Sequence, residues 1–226
     1  MSPKLKPHLS EFEPLPRGRH RLSPEEVRAS QRERLLRAML ECVSRDGYAD
    51  TTVPEVVAAA RVSRNAFYEL FADKTECFLA LCDELANELL GELFRQEAAP
   101  DWIEALRSGL SVYLRWWQDR PEFGRTYLVE LPSAGAKAVE QRTRQYASFR
   151  VIFEQLGSRA RKEQPGLPPL SPLAPRLLVV ATTELIAEEV RAGRGGRLVA
   201  LHDELLPMMV KLLADDETAE RAVARA

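Results

Sequence analysis

A chain of 226 residues, 45% hydrophobic and 29% charged, holds enough apolar material for one large packed domain or a small one plus a larger one, and too much for a disordered polymer. No apolar run approaches the ~18 residues that span a bilayer, and the first residues carry Pro, His and acidic side chains where a secretory signal needs an apolar stretch, so a cytoplasmic protein without membrane contact is expected. Cys42, Cys77 and Cys82 are odd in number and sit in helical patterns, which fits reduced, buried thiols; with only His8, His20 and His202 and no Cys-x-x-Cys, neither a metal nor another cofactor is expected.

Residues 1–22 contain four prolines and no helical period, so they read as a flexible basic arm. Arg19 and Arg21 are candidates to enter a DNA minor groove, the alternative being a solvated tail. The net charge is −2, yet residues 17–37 hold seven Arg against three Glu, so a basic footprint is local. Ser23-Pro24-Glu25-Glu26 is a helix start, Leu36, Met39, Leu40 and Val43 form its apolar stripe, and Gly47 ends it.

Residues 51–76 read as two short helices joined by a tight turn, with a third following at once. Thr52 with Glu55 makes a capping box, and Val53, Val56, Val57 and Ala60 repeat at i, i+3, i+4, i+7. Ser63 caps the second helix, in which Ala66, Phe67 and Phe71 face inward and Arg64, Asn65, Tyr68 and Glu69 outward. Arg pairs bidentately with guanine and Asn with adenine, so Arg64 and Asn65 are the base-reading candidates. Thr52 offers a hydroxyl and helix N-terminal amides to a phosphate.

The run TTVPEVVAAARVSRNAFYELFADKTECF resembles the DNA-binding region of TetR/AcrR-type transcriptional regulators over about residues 28–82, roughly a quarter of the chain. The resemblance implies that Tyr68 contacts the DNA backbone or a thymine methyl and that Lys74 contacts a phosphate. Two positions depart from the pattern: Arg61 stands where a Gly is usual, requiring a side chain at positive φ, and Leu70 replaces a Tyr or His.

The fourth helix starts at Asp73 and Glu76 and runs through Leu81, Leu85 and Leu89 to about Ala98. From Asp101 on the pattern is helical throughout and no strand is expected. Trp102, Tyr113, Trp117, Phe123, Tyr127, Tyr146, Phe149 and Phe153 cluster on the middle helices, where the resemblance implies an effector pocket; the competing reading is plain core. Glu130, Glu184 and Arg142 are the charged candidates to face it. Gln164 to Pro175 holds five prolines and reads as a loop. Two helices follow, joined at Gly193 to Gly196, with Leu178 and Leu185 on the first and Leu198, Leu201, Leu205, Met208 and Leu212 as a heptad-like seam. Such a hairpin pairs with a second copy, and the resemblance implies dimerisation through the last two helices. Residues beyond Asp215 read as polar and frayed, and His202-Asp203 as a surface pair, not part of a catalytic triad.

The expected architecture is all-α, about nine helices, with an arm (1–22), a three-helix helix-turn-helix DNA-binding domain (23–73) and a helical ligand-binding and dimerisation domain (74–226). The expected function is a ligand-responsive, homodimeric regulator, a repressor binding a palindromic double-stranded DNA operator and a small apolar or aromatic effector. A helical ligand-binding protein that has lost DNA recognition is the alternative; an enzyme would need a nucleophile and base that the sequence does not offer.

Overall fold

The computed structural model describes residues 23–95 and 99–223, so Arg19, Arg21 and the rest of the expected arm lie outside the described residues. Every regular element among the described residues is helical: α1 (Pro24–Asp46), α2 (Val53–Ala60), α3 (Arg64–Leu70), α4 (Lys74–Phe94), α5 (Trp102–Gln118), α6 (Pro121–Gly124), α7 (Ala136–Glu163), α8 (Ala174–Arg191), α9 (His202–Leu213) and α10 (Asp216–Val223). No helix among them is long and apolar enough to cross a membrane. The chain divides into two compact units, residues 1–84 and 85–226, with the division falling inside α4.

In the first unit the sequence signals act locally. Glu26 N–H donates to Ser23 Oγ (3.2 Å) while Ser23 N–H donates to Glu26 Oε2 (2.7 Å), a closed capping box. Gly47, at φ 86°, ends α1 with its N–H on Val43 O (2.9 Å), a conformation that favours glycine. Leu35, Met39 and Val43 from α1, Val56 from α2, Phe67 from α3 and Phe78 from α4 are fully buried together with Cys77. Burial pushes the Cys77 thiol up to about 12 and the Cys82 thiol well above its ordinary value, and Cys42, Cys77 and Cys82 are all buried and outside any disulfide.

The turn between α2 and α3 is closed by Arg61 N–H on Ala58 O and Val62 N–H on Val57 O, both 3.1 Å, which is a Schellman motif. That motif needs a left-handed residue at its centre, and Arg61 supplies it at φ 51°, ψ 45°. It is the one non-glycine at positive φ among the described residues.

The second unit is built from the end of α4 and from α5 to α10. Ala136 to Glu163 forms α7, and the proline-rich stretch after it is a loop. After α6 the chain continues as a π-helical segment over Arg125–Glu130 and a 3-10 turn over Leu131–Ala134. The expected heptad seam is broken, because Leu198 and Leu201 lie on a 3-10 segment, Gly195–Leu201, and not on α9. Residues 216–223 are not frayed as expected. They form α10, capped by Thr218 N–H on Asp215 Oδ1 (2.8 Å), with Thr218 and Ala219 buried.

Arg61→Gly relieves the steric cost of the left-handed residue. The variant is expected to raise the unfolding free energy of the first unit by about 0.5–1 kcal/mol after the entropy of the unfolded glycine is offset, read as a higher thermal midpoint; an unchanged or lower midpoint would contradict it.

Candidate nucleic-acid interface and ligand cavity

The surface that would meet a nucleic acid is made by α3. Ser63 caps it by accepting from Ala66 N–H (3.1 Å), and Phe67 turns inward against Phe71, ring centroids 5.7 Å apart. The helix period then leaves Arg64, Asn65, Tyr68 and Glu69 exposed, Tyr68 by 46%. The Arg64 guanidinium lies 5.6 Å from the Tyr68 ring centroid, so two of the expected DNA-contacting side chains share one patch.

Three cations hold this patch from behind. Arg28 Nη2 donates to Glu69 O at the end of α3 (2.7 Å), and Arg34 Nη1 donates to Ala60 O and Arg61 O at the end of α2 (3.4 and 3.3 Å). Carbonyls at a helix C-terminus carry the negative end of its dipole and lack intrahelical donors, which is why a guanidinium settles there. Arg32 is taken by Glu84 at 2.7 Å. Of the arginines counted as a basic footprint, then, Arg28, Arg32 and Arg34 each have a partner within the unit, Arg28 while still exposed.

Lys74, expected at a phosphate, is the third cation. Its Nζ donates to Tyr48 O (2.7 Å), Thr51 O (2.8 Å) and Ala49 O (3.3 Å), and stands 4.3 Å from the Tyr48 ring centroid. An ammonium has three donors, and all three are used on the loop between α1 and α2. Desolvation lowers its pKa, against the opposing pull of Asp50 and Glu55. Thr52 caps α2, and its hydroxyl proton goes to Glu55 Oε2 (2.7 Å). The Thr52 hydrogen bonds in turn hold the Glu55 carboxyl below its usual range. The hydroxyl expected to meet a phosphate is thus already in use within the capping box.

The second unit encloses a cavity of about 380 Å³. Six of the eight aromatic candidates line it: Tyr113, Trp117, Tyr127, Tyr146, Phe149 and Phe153. Trp102 and Phe123 do not, being core residues at 0% and 1% exposure; Phe123 lies 5.5 Å from Trp116 between ring centroids. The sequence gives no warning of the aliphatic share of the wall, Leu89, Leu93, Leu110 and Leu156 among it, because core and cavity positions follow the same helical spacing. The Thr182-Thr183 pair inside the apolar α8 is a signal that was there to be found: both line the cavity.

Two hydroxyls of the wall have hydrogen-bond partners. Tyr127 Oη donates to Gln145 Oε1 (2.7 Å), and Thr182 Oγ1 to Leu178 O (2.6 Å). Burial pushes the Tyr113 hydroxyl up to about 12, with Thr183 and Trp117 as hydrogen-bond partners pulling the other way. Of the charged candidates, none is a wall residue. Arg142 Nε donates to Tyr146 Oη (2.7 Å) and its Nη2 lies 3.7 Å from Glu184, which also pairs with Arg191. The charged wall residue is Arg159, whose Nη2 donates to Ala99 O at 2.8 Å. His202 Nδ1 sits 3.1 Å from Asp203 Oδ1, and its Nε2 lies 3.3 Å from Arg107 O, an arrangement that braces a helix start.

The expected dimer residues divide in two. Leu178 (2%) and Leu198 (0%) are buried in the core of the second unit and not on an outward face as expected, while Leu201 and Leu205 are half-buried. Leu185 (45%), Met208 (58%) and Leu212 (40%) are exposed, joined by Leu177 and Val180 on α8, which the sequence reading did not select. The α8 stripe falls at i, i+3 and i+8, one face of that helix.

A short helix set on a capped turn, its inner face aromatic and its outer face Arg, Asn and Tyr, defines a helix-turn-helix DNA-binding unit. Residues 35–81 match the family described as bacterial regulatory proteins, tetR family. The transcriptional regulator AcuR of Cereibacter sphaeroides is 40% identical over 67 residues, 30% of each chain, so the match spans under a third of that relative's length. The HTH-type transcriptional repressor Rv1474c of Mycobacterium tuberculosis is 27% identical over 136 residues, 56% of this chain and 72% of the relative. The fold matches that of the transcriptional regulator FadR of Bacillus subtilis, solved in complex with stearoyl-CoA, with a TM-score of 0.70 at 17% identity over 79% of this chain and 97% of that one. Residues 35–81 therefore carry the DNA-binding region of the TetR family of transcriptional regulators, and the fold of the chain is that of the solved regulators it matches.

Because Lys74 closes a loop, Lys74→Ala is expected to lower the stability of the first unit by about 1–2 kcal/mol, leaving three carbonyls without their donor, and to shift the urea midpoint accordingly. An unchanged midpoint would return Lys74 to the surface charges.

Proposed function

We propose that the chain is a ligand-responsive transcriptional repressor, acting in the cytoplasm as a homodimer on a palindromic double-stranded DNA operator. Residues 23–73 carry the DNA reading, and residues 74–226 the effector site and the dimer face. The observation that carries the reading is the outward patch of α3, with Arg64, Asn65 and Tyr68 exposed on a helix fixed at both ends. Arg64 and Asn65 meet base edges in the major groove; Tyr68 and the helix ends around Thr52 and Ser63 meet backbone. Two copies place their α3 helices in successive major grooves, ~34 Å apart.

Dimerisation is supported by the exposed apolar side chains on α8 and α9. Leu177, Val180 and Leu185 with Met208 and Leu212 are the apolar surface that a second copy covers. Effector response is supported by the cavity, whose wall includes Ala86, Leu89 and Leu93 of α4. That helix is continuous through Lys74, so a ligand that displaces its later turns shifts the DNA-reading unit through the covalent helix itself. It does so only as far as it binds the non-DNA arrangement more tightly. A small apolar or aromatic molecule fits the wall. The bound stearoyl-CoA of FadR supports an apolar effector here as well.

Arg64→Ala is expected to weaken operator binding by about 1–3 kcal/mol while changing binding to random DNA little. The clamp assignment predicts the opposite pattern for Lys74→Ala, whose slope of log affinity against log salt stays at the wild-type value. Equal losses on operator and random DNA for Arg64→Ala would remove the base-reading assignment. Light scattering is expected to give about twice the 25.5 kDa chain mass, with Met208→Glu shifting it toward the single chain; a wild-type monomer at micromolar concentration would refute the face.

A further inference from the structure

We infer that the effector is a linear amphiphile, an extended apolar chain carrying an anionic head, with the chain in the cavity and the head at Arg159 and Lys162. This deepens the effector-site reading above and rests on it. The shape of the cavity gives the first argument. Its wall on α5 runs from Ala105 to Trp117 and on α7 from Tyr146 to Arg159, which at helical rise is about 18 Å and about 20 Å. The two helices run antiparallel along it: Arg159 reaches Ala99 ahead of α5, and Trp102 N–H donates to Glu163 Oε2 (2.9 Å) at the end of α7. A volume of about 380 Å³ stretched over that length is long and narrow, the shape of a chain more than of a compact ring system.

The two ends differ chemically. One is aromatic and closed, with Trp117 and Tyr127 at 3% and 4% exposure. Toward the other stand Gln155 and Arg159, which also line a surface groove along α7 together with Val151, Glu154, Ser158 and Lys162. These two side chains thus stand between the cavity and a polar surface site. Arg159 is held in place there: Nε donates to Glu163 Oε1 (2.5 Å), Nη2 to Ala99 O, and its side chain is still 36% exposed. A guanidinium has five N–H donors, more than these two acceptors take. Among the described residues of the groove, Glu154 is paired with Arg150 at 2.9 Å and Arg159 with Glu163, which leaves Lys162 as the remaining cation. An apolar tube that ends in a cationic mouth selects against a neutral chain at the mouth and against a charged group inside.

The test uses the full chain, with tryptophan fluorescence reporting from Trp117, and three probes of equal chain length: hexadecanoate, hexadecanoyl-CoA and hexadecanol. At least one anionic probe is expected to bind about tenfold or more tightly than the alcohol. Whichever anion binds tighter assigns the head as a free carboxylate or a phosphate-bearing thioester. The double variant Arg159→Gln, Lys162→Gln is expected to reduce the preference to about twofold while leaving the alcohol's affinity in place; Lys162→Gln alone, at an exposed position, gives a partial loss and serves should the double variant not fold. Equal binding of the anions and the alcohol, or no binding of any chain probe, overturns the amphiphile. Release of operator DNA by a cell extract in that same case leaves the ligand-responsive reading standing, and no release by any ligand source removes that reading too.

Discussion

A helix of seven residues such as α3 has no stability of its own in water, since isolated helices below ~12–15 residues are marginal. It exists here because its ends are held. Ser63 satisfies an amide at the start, Arg28 takes the Glu69 carbonyl at the end, and Phe67 is buried at 0% exposure beneath. The neighbouring turn depends on the same device, with Arg34 on the last carbonyls of α2 and Lys74 on those of the preceding loop. Side chains that look on paper like a reservoir of charge for DNA serve as donors to helix ends, and the orientation of Arg64 and Asn65 follows from them.

The second unit is built to the opposite specification. Its longer helices, α5, α7 and α8, run to 17, 28 and 18 residues, and together they enclose space. The wall of the cavity is made from the same leucines and aromatics that would otherwise close a core, so an apolar ligand extends the core when it binds and stabilises the unit by mass action. Because the later turns of α4 form part of that wall, the cavity and the reading unit share one continuous helix in the covalent chain.

Much of this was legible from the amino acids, and unevenly. Capping boxes at Ser23 and Thr52, the Gly47 terminator and the inward Phe67 are local features whose chemistry is complete within four residues, and they are found where the sequence puts them. The left-handed Arg61 was readable from a departure at one position. What spacing does not carry is partnership across the chain. Nothing in the order of residues says that Lys74 meets Tyr48, or that Leu178 and Leu198 face the interior of their own bundle while Leu185 and Met208 face out. Trp102 and Phe123 have the same periodicity as Tyr113 and Trp117, and the two pairs differ only in where the surrounding helices leave a gap.

The placement of the three cysteines has a consequence for how the molecule can be watched. Cys42, Cys77 and Cys82 all belong to the first unit, each buried, each with its thiol pushed toward the neutral form. A thiol in that condition reacts only when the surrounding core opens. The rate at which a soluble thiol reagent modifies the native chain is therefore a clock for opening of the DNA-reading unit alone. The second unit contains no cysteine to confuse the signal. A ligand that bound the second unit and tightened or loosened the first would be heard in that clock without any label being added to the protein.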